Sequence, residues 1–119
     1  MQRKFRLTRS EDFKRVRRFG KSHAHPLIVL VVQACDAGQL HVGVTATRAL
    51  GTAVKRNRAK RLVREAIRTL LPSIATGWDI LLIARPRLAS CNMFEVREAI
   101  LTLLRRAELV SPQGPSDAT

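Results

Sequence analysis

Acidic side chains are scarce in this sequence: nine Asp and Glu stand against 22 Lys and Arg, for a formal net charge of +13. Tyrosine is absent, and aromatic residues make up only 4% of the chain. A helix that lies on a membrane surface needs exposed Leu, Phe or Trp opposite its cations, and aromatics this few and scattered do not supply it. Long apolar runs are missing as well. The longest, Leu27 to Val32, falls far short of the ~18 residues that a membrane span takes. The basic stretch after Met1 has no apolar h-region, so no secretory signal is expected. Cys35 and Cys91 lie far apart and lack the C-x-x-C spacing of a zinc or redox site. The expectation is two reduced thiols in a cytoplasmic protein.

The groups of a self-sufficient nuclease are also lacking. Glu11 and Asp12 are adjacent on a helical segment and point apart, so they do not make the carboxylate cluster of metal-assisted phosphodiester cleavage. His23 and His25 would share a strand face, but no acid or third ligand sits near them. No G-x-x-x-x-G-K, G-x-S-x-G or H-E-x-x-H occurs. The chain itself is therefore assigned no catalytic residue and no metal ligand.

What is present is a globular composition, 119 residues with 45% apolar side chains, enough for one domain at roughly 150 residues per domain. The charge is unevenly placed. Residues 1–68 hold 17 basic and 4 acidic side chains, while residues 69–119 hold 5 of each. Self-repulsion on that scale destabilises a compact chain unless a polyanion offsets it. Nucleic acid is the leading candidate, because neutralising phosphates releases condensed counterions without any base contact.

The pattern predicts a helix over about Ser10 to Phe19, capped by Thr8 or Ser10, with Glu11 and Asp12 at its positive end and Gly20 as its C-terminal stop. Leu27–Ala34 reads as a buried strand and Leu40–Thr47 as an alternating one, with Asp36-Ala-Gly38 turning between them as a hairpin. Lys21–His25 reads as a short irregular strand. A long helix from Thr52 to Leu71 ends at Pro72. Trp78–Ala84 is a third apolar strand, and a last helix, about Met93 to Ala107, is capped by Asn92 or Ser90. Ser111 to Thr119 is a Ser-, Pro- and Gly-rich tail.

The informative stretch runs from Gly51 to Arg68. On a helix at 100° per residue, Ala59, Leu62, Val63, Ala66, Ile67, Leu70 and Leu71 fall on one side. Arg56, Lys60, Arg64 and Arg68 fall with Arg58 and Arg61 mostly on the other, as a ribbon of cations. Like charges at i, i+4 cost a few tenths of a kcal/mol per pair in a free helix, and Glu65 is the one internal acid that relieves them. Arg outnumbers Lys here, which suits bidentate contact with phosphate oxygens. Asn57 is either an exposed polar residue or a donor to a sugar or base edge.

Lys55-Arg56-Asn57-Arg58-x-Lys60-Arg61-x-x-Arg64-Glu65 resembles the "RNR" signature of the bacterial ribonuclease P protein component. Arg6-Leu-Thr-Arg-Ser-Glu-Asp-Phe13 is similar to that family's opening, and Gly43-Val-Thr-Ala-Thr-Arg48 to its strand before the signature. The resemblance implies one α+β domain over residues 1–110, an α/β sandwich. Helices pack on a central mixed sheet in the order α-β-β-(β)-α-β-α, ribosomal protein S5 domain 2-like with a left-handed β-α-β crossover.

It further implies a subunit of a ribonucleoprotein whose RNA removes 5′ leaders from precursor tRNA. The Mg2+ that this holoenzyme requires would be held mainly by RNA, with no cofactor bound by the protein alone. The partners implied are ribonuclease P RNA and precursor tRNA, and neither membrane nor DNA. By position, Lys55, Arg56, Asn57, Arg58, Lys60, Arg61, Arg64 and Arg68 are expected to face the catalytic RNA, and Phe13, Arg17, Val31 and Arg48 the leader. Arg17 and Val31 depart from the family pattern, standing where many or some members carry an aromatic, and Phe13 has a second reading as a core anchor. The apolar strands argue against a helix-turn-helix protein. A ribosomal or other structural RNA-binding protein is the alternative that the residues alone leave open.

Overall fold

The computed structural model describes residues 10–36 and 38–110. Helix α1 spans Ser10–Phe19, strand β1 Lys21–Ala24, β2 Ile28–Ala34, β3 Leu40–Ala46, helix α2 Ala53–Arg68, β4 Trp78–Ala84 and helix α3 Met93–Arg106. The tail at 111–119 and the Thr8 cap lie outside the described residues, as does the side chain of Ser10. Asn92 caps α3 in a full capping box, accepting from the Glu95 N–H at 2.9 Å while Glu95 accepts from the Asn92 N–H at 3.1 Å.

The four strands form one mixed sheet in the order β1-β2-β4-β3. β2 is antiparallel to β4, and β3 runs parallel to it. The expected hairpin of β2 with β3 is therefore wrong: β4 inserts between them. The reason lies in β4 itself, which is buried at six of seven positions and so belongs in the middle of the sheet. The loop from β2 to β3 straddles it. The Cys35 N–H donates to the Gly77 carbonyl at 2.9 Å, and the Gly77 N–H donates to the Gln39 carbonyl, so the residue ahead of β4 takes bonds that a hairpin would have closed.

Helix α2 is shorter than its pattern suggests. Pro72 disfavours helical geometry at the residue before it and would clash with the carbonyl four residues back, that of Arg68. The α-helix accordingly ends at Arg68, and after Thr69 and Leu70 the chain makes a 3-10 turn at Leu71–Ser73.

The sheet separates two cores. On one face, Ile28, Leu30, Val42, Val44, Ile80 and Leu82 pack against α2 and α3 through Val63, Ile67, Ile100 and Leu104. On the other, Val16 of α1 covers Val31, Leu81 and Ile83, with Phe13 and Val29 half-buried at the margin. Gly20 is the first residue past α1, as expected of its stop, but its φ lies outside the left-handed region. It is required for close approach: a Cβ there would sit 2.5 Å from the Val16 carbonyl oxygen and 2.7 Å from Val31 Cγ1.

Candidate nucleic-acid interface

Helices α1 and α3 follow the macrodipole rule, with Glu11 and Asp12 or Glu95 in the first turn and arginines in the last. Helix α2 breaks it at its start, though Arg68 obeys it in the last turn. Its first turn holds no acid and carries Lys55 and Arg56 instead, where a cation costs about 0.3–1 kcal/mol at an exposed helix end. Thr52 caps the helix, its hydroxyl accepting from the Lys55 N–H at 3.3 Å. Among the described residues, no ion pair engages Lys55, Arg56, Arg58, Lys60 or Arg61. Glu65 is taken by Arg68 at 3.2 Å, so Arg68 presents a compensated charge. Arg64 is half-buried on the same helix.

The cationic ribbon has two flanks. Arg56, Asn57 and Lys60 line a depression with Thr45 at the end of β3 and Arg48 in the turn after it. Lys55, Arg58 and Arg61 lie on the opposite flank, over a larger groove beside the Pro86–Ser90 turn and the start of α3. The buried stripe through Ala59, Val63 and Ala66 divides the two banks below, where it plugs into the sheet.

The residues expected at the leader separate likewise. Arg48 joins the first bank of α2. Phe13 is half-buried against the second core, and Arg17 is exposed on α1. Val31 is 2% exposed beneath α1 and presents no surface to a strand of RNA. Its assignment to the leader set is corrected: β2 is an interior strand, and its side chain is core.

A polar cluster that sequence reasoning missed fixes α1 to the sheet. Asp79, the buried charge of β4 at 4% exposure, accepts from Arg15 of α1 at 2.7 Å and bonds His41 Nδ1 of β3 at 2.8 Å. Arg15 also donates to Gln33 of β2. Burial alone would raise the Asp79 carboxyl, but the bonds from Arg15 and His41 outweigh it and hold the group below its usual 3.8. A lone acid in the apolar run Trp78–Ala84 was the available signal.

Cys35, His41 and Asp79 are, among the described residues, the group whose ligand atoms lie close enough to hold one ion, within 4.8 Å of one another. Thiol and imidazole do not suit Mg2+, which takes oxygen ligands, and the Cys35 thiol is pushed up to about 11, chiefly by burial. His23 and His25 are elsewhere, on and just beyond β1. His25 Nδ1 accepts from the Leu27 N–H at 3.1 Å, while His23 Nε2 is buried without a partner among the described residues. No helix of the described chain is long and apolar enough to cross a membrane.

Residues 1–108 match the family model described as Ribonuclease P. The chain is 41% identical over 109 residues to the ribonuclease P protein component of Herpetosiphon aurantiacus, covering 92% of this chain and 89% of that one. It is 39% identical over 111 residues to the ribonuclease P protein component of Chloroflexus aurantiacus, covering 92% and 82%. Its fold is similar to that of the ribonuclease P protein of Thermotoga maritima, with a TM-score of 0.76 and 32% identity over 85% of this chain and 96% of that one. The Staphylococcus aureus ribonuclease P protein gives a TM-score of 0.75 at 25% identity, covering 90% and 98%.

Proposed function

From the premise that the chain belongs to the ribonuclease P protein family, the protein subunit of an endoribonuclease that matures tRNA 5′ ends, we propose that α2 docks on ribonuclease P RNA in the cytoplasm. Helix α1 with the rim of β3 then faces the 5′ leader of precursor tRNA. One observation carries this reading: a helix whose positive end is loaded with cations that no acid among the described residues neutralises. A folded chain keeps such an arrangement when an external polyanion completes it. Arg56 and Lys60 supply phosphate contacts at the β3 bank, with Arg48 beside them and Asn57 offering an amide to a sugar or base edge. Phe13 offers part of a ring to an unstacked leader base, and Arg17 offers a guanidinium to a leader phosphate.

Mg2+ in the active complex belongs to the RNA. The soft Cys35–His41–Asp79 set does not fit it, so no step of cleavage is assigned to a metal held by this chain. The protein's part is to bind and position RNA, with the cutting done by the ribozyme.

A salt titration tests the docking. Each neutralised phosphate contributes about −0.7 to −0.9 to the slope of log affinity on log salt. Five unpaired cations therefore give a slope of about −4, or roughly a 250-fold loss of affinity between about 50 and 200 mM salt. Arg56→Ala with Lys60→Ala should flatten the slope to about −2.5. A wild-type chain whose affinity for the RNA barely changes with salt refutes the docking.

A further inference from the structure

The bank of α2 formed by Lys55, Arg58 and Arg61 borders a groove of about 680 Å3, within the ~300–1,000 Å3 range of small-ligand pockets. Its floor is apolar. Leu50, Ala59 and Leu88 are buried there, Leu62 is half-buried, and Met93 stands 38% exposed at one end. Phosphate recognition alone does not need such a floor, and a cationic rim is out of place over a groove meant for an apolar helix. The two features together suit a nucleotide: a flat base with a π-face for the floor, and a phosphate for the rim.

We propose that this groove receives one unstacked base of the catalytic RNA, with the phosphates flanking that base held by Lys55, Arg58 and Arg61. The proposal rests on the docking of α2 described above and adds a site to it. The occupant belongs to the catalytic RNA and not to the leader, because α1 with Phe13 covers the opposite face of the sheet. A second copy of the chain is disfavoured by charge, since each copy carries +13. Glu65, the acid on the rim, is engaged by Arg68, so the rim facing the groove keeps a net positive charge.

Cys91 lies in the groove wall, half-buried, and provides the handle. In a Cys35→Ser background, N-ethylmaleimide on Cys91 plugs the groove without changing its charge. With in vitro transcribed ribonuclease P RNA, the plugged chain should bind about tenfold more weakly, within the range of one lost base stack, and keep an unchanged salt slope. Conversely, bound RNA should slow Cys91 alkylation about tenfold, and polyglutamate at equal charge should not. Ala89→Trp, an exposed substitution at the same wall, gives a second plug should the adduct lower the melting temperature.

Equal affinity of plugged and open chains overturns the groove and leaves the docking of α2 intact. A plug that lowers the salt slope also overturns it, since phosphates and not a base were displaced. Protection by polyglutamate, or protection that grows with protein concentration alone, assigns the groove to an acidic protein or a second copy and overturns the proposal. Failure of the unplugged chain to bind the RNA removes the docking and the groove together.

Discussion

Removing either end of the Arg15–Asp79 clasp should cost stability unequally, and the inequality tests the account of how α1 is held. Breaking a buried ion pair costs about 3–5 kcal/mol because one charge is left without a partner or water. The two partners here are not equally buried. The Arg15 side chain is 39% exposed and Asp79 only 5%, so Arg15 freed by Asp79→Ala can rehydrate, at a cost of about 2 kcal/mol. Arg15→Ala instead leaves the buried carboxylate with His41 and the Cys35 thiol but no full cation, costing about 3–4 kcal/mol, roughly 10–15 °C of melting temperature for a domain of this size.

The pH dependence separates the two variants further. A carboxyl depressed by folding stabilises the protein above its unfolded value of 3.8, and that contribution is lost as pH falls through the lower folded value. In Arg15→Ala, burial acts on Asp79 with much less opposition, so the acid limb of the stability curve should move to higher pH. Urea denaturation from pH 3 to 7 reads both effects. An Asp79→Ala variant as unstable as Arg15→Ala, or variants within about 0.5 kcal/mol of wild type, the ordinary range of surface substitutions, refutes the clasp.

Phe13→Ala should weaken binding of leader-bearing precursor tRNA by the reconstituted complex roughly tenfold relative to mature tRNA, the scale of one lost base stack; equal losses on both substrates assign the ring to the core alone. His23 and His25 are held below their usual 6.5, chiefly by burial, with Lys21 and Arg106 adding to the effect at His23 and Arg106 at His25. Groups whose folded values are depressed contribute stability above 6.5 and lose it as pH falls toward those lower values. Urea midpoints should therefore decline from pH 7.5 to 5.5, and His23→Gln should flatten the decline; midpoints that rise on acidification contradict the burial of these rings.

The first and last helices were legible because local chemistry and tertiary packing agree in them. Glu11, Asp12 and Phe19 bound α1 where the structure bounds it, and Asn92 with Glu95 marks the start of α3. Strand segments were equally visible as apolar runs, but their pairing was not. Leu27–Ala34 and Leu40–Thr47 are separated by a turn-like Asp36-Ala-Gly38, and nothing local says that Trp78–Ala84 will come between them. That follows from β4 needing cover on both faces, a property of the whole sheet.

Site features were lost for the same reason. A helical wheel already sets Arg56 and Arg58, two residues apart, about 200° from one another, but which flank meets β3 and which the Pro86–Ser90 turn is decided by the packing of the whole sheet. Val31 was placed by analogy of position, and the packing of α1 decides its burial. Asp79 was readable as an acid in an apolar strand. Its partners Arg15 and His41 lie 64 and 38 residues away and were not.

Cleavage of precursor tRNA at low Mg2+ tests the central claim most directly. Ribonuclease P RNA transcribed in vitro is given its substrate with and without this chain, and the chain is also assayed alone. The account predicts strong enhancement of RNA-catalysed cleavage by the chain, reduced by Arg56→Ala with Lys60→Ala, and no cleavage by protein alone. An RNA no faster with the chain than without it, or leader removal by the chain free of RNA, contradicts the account.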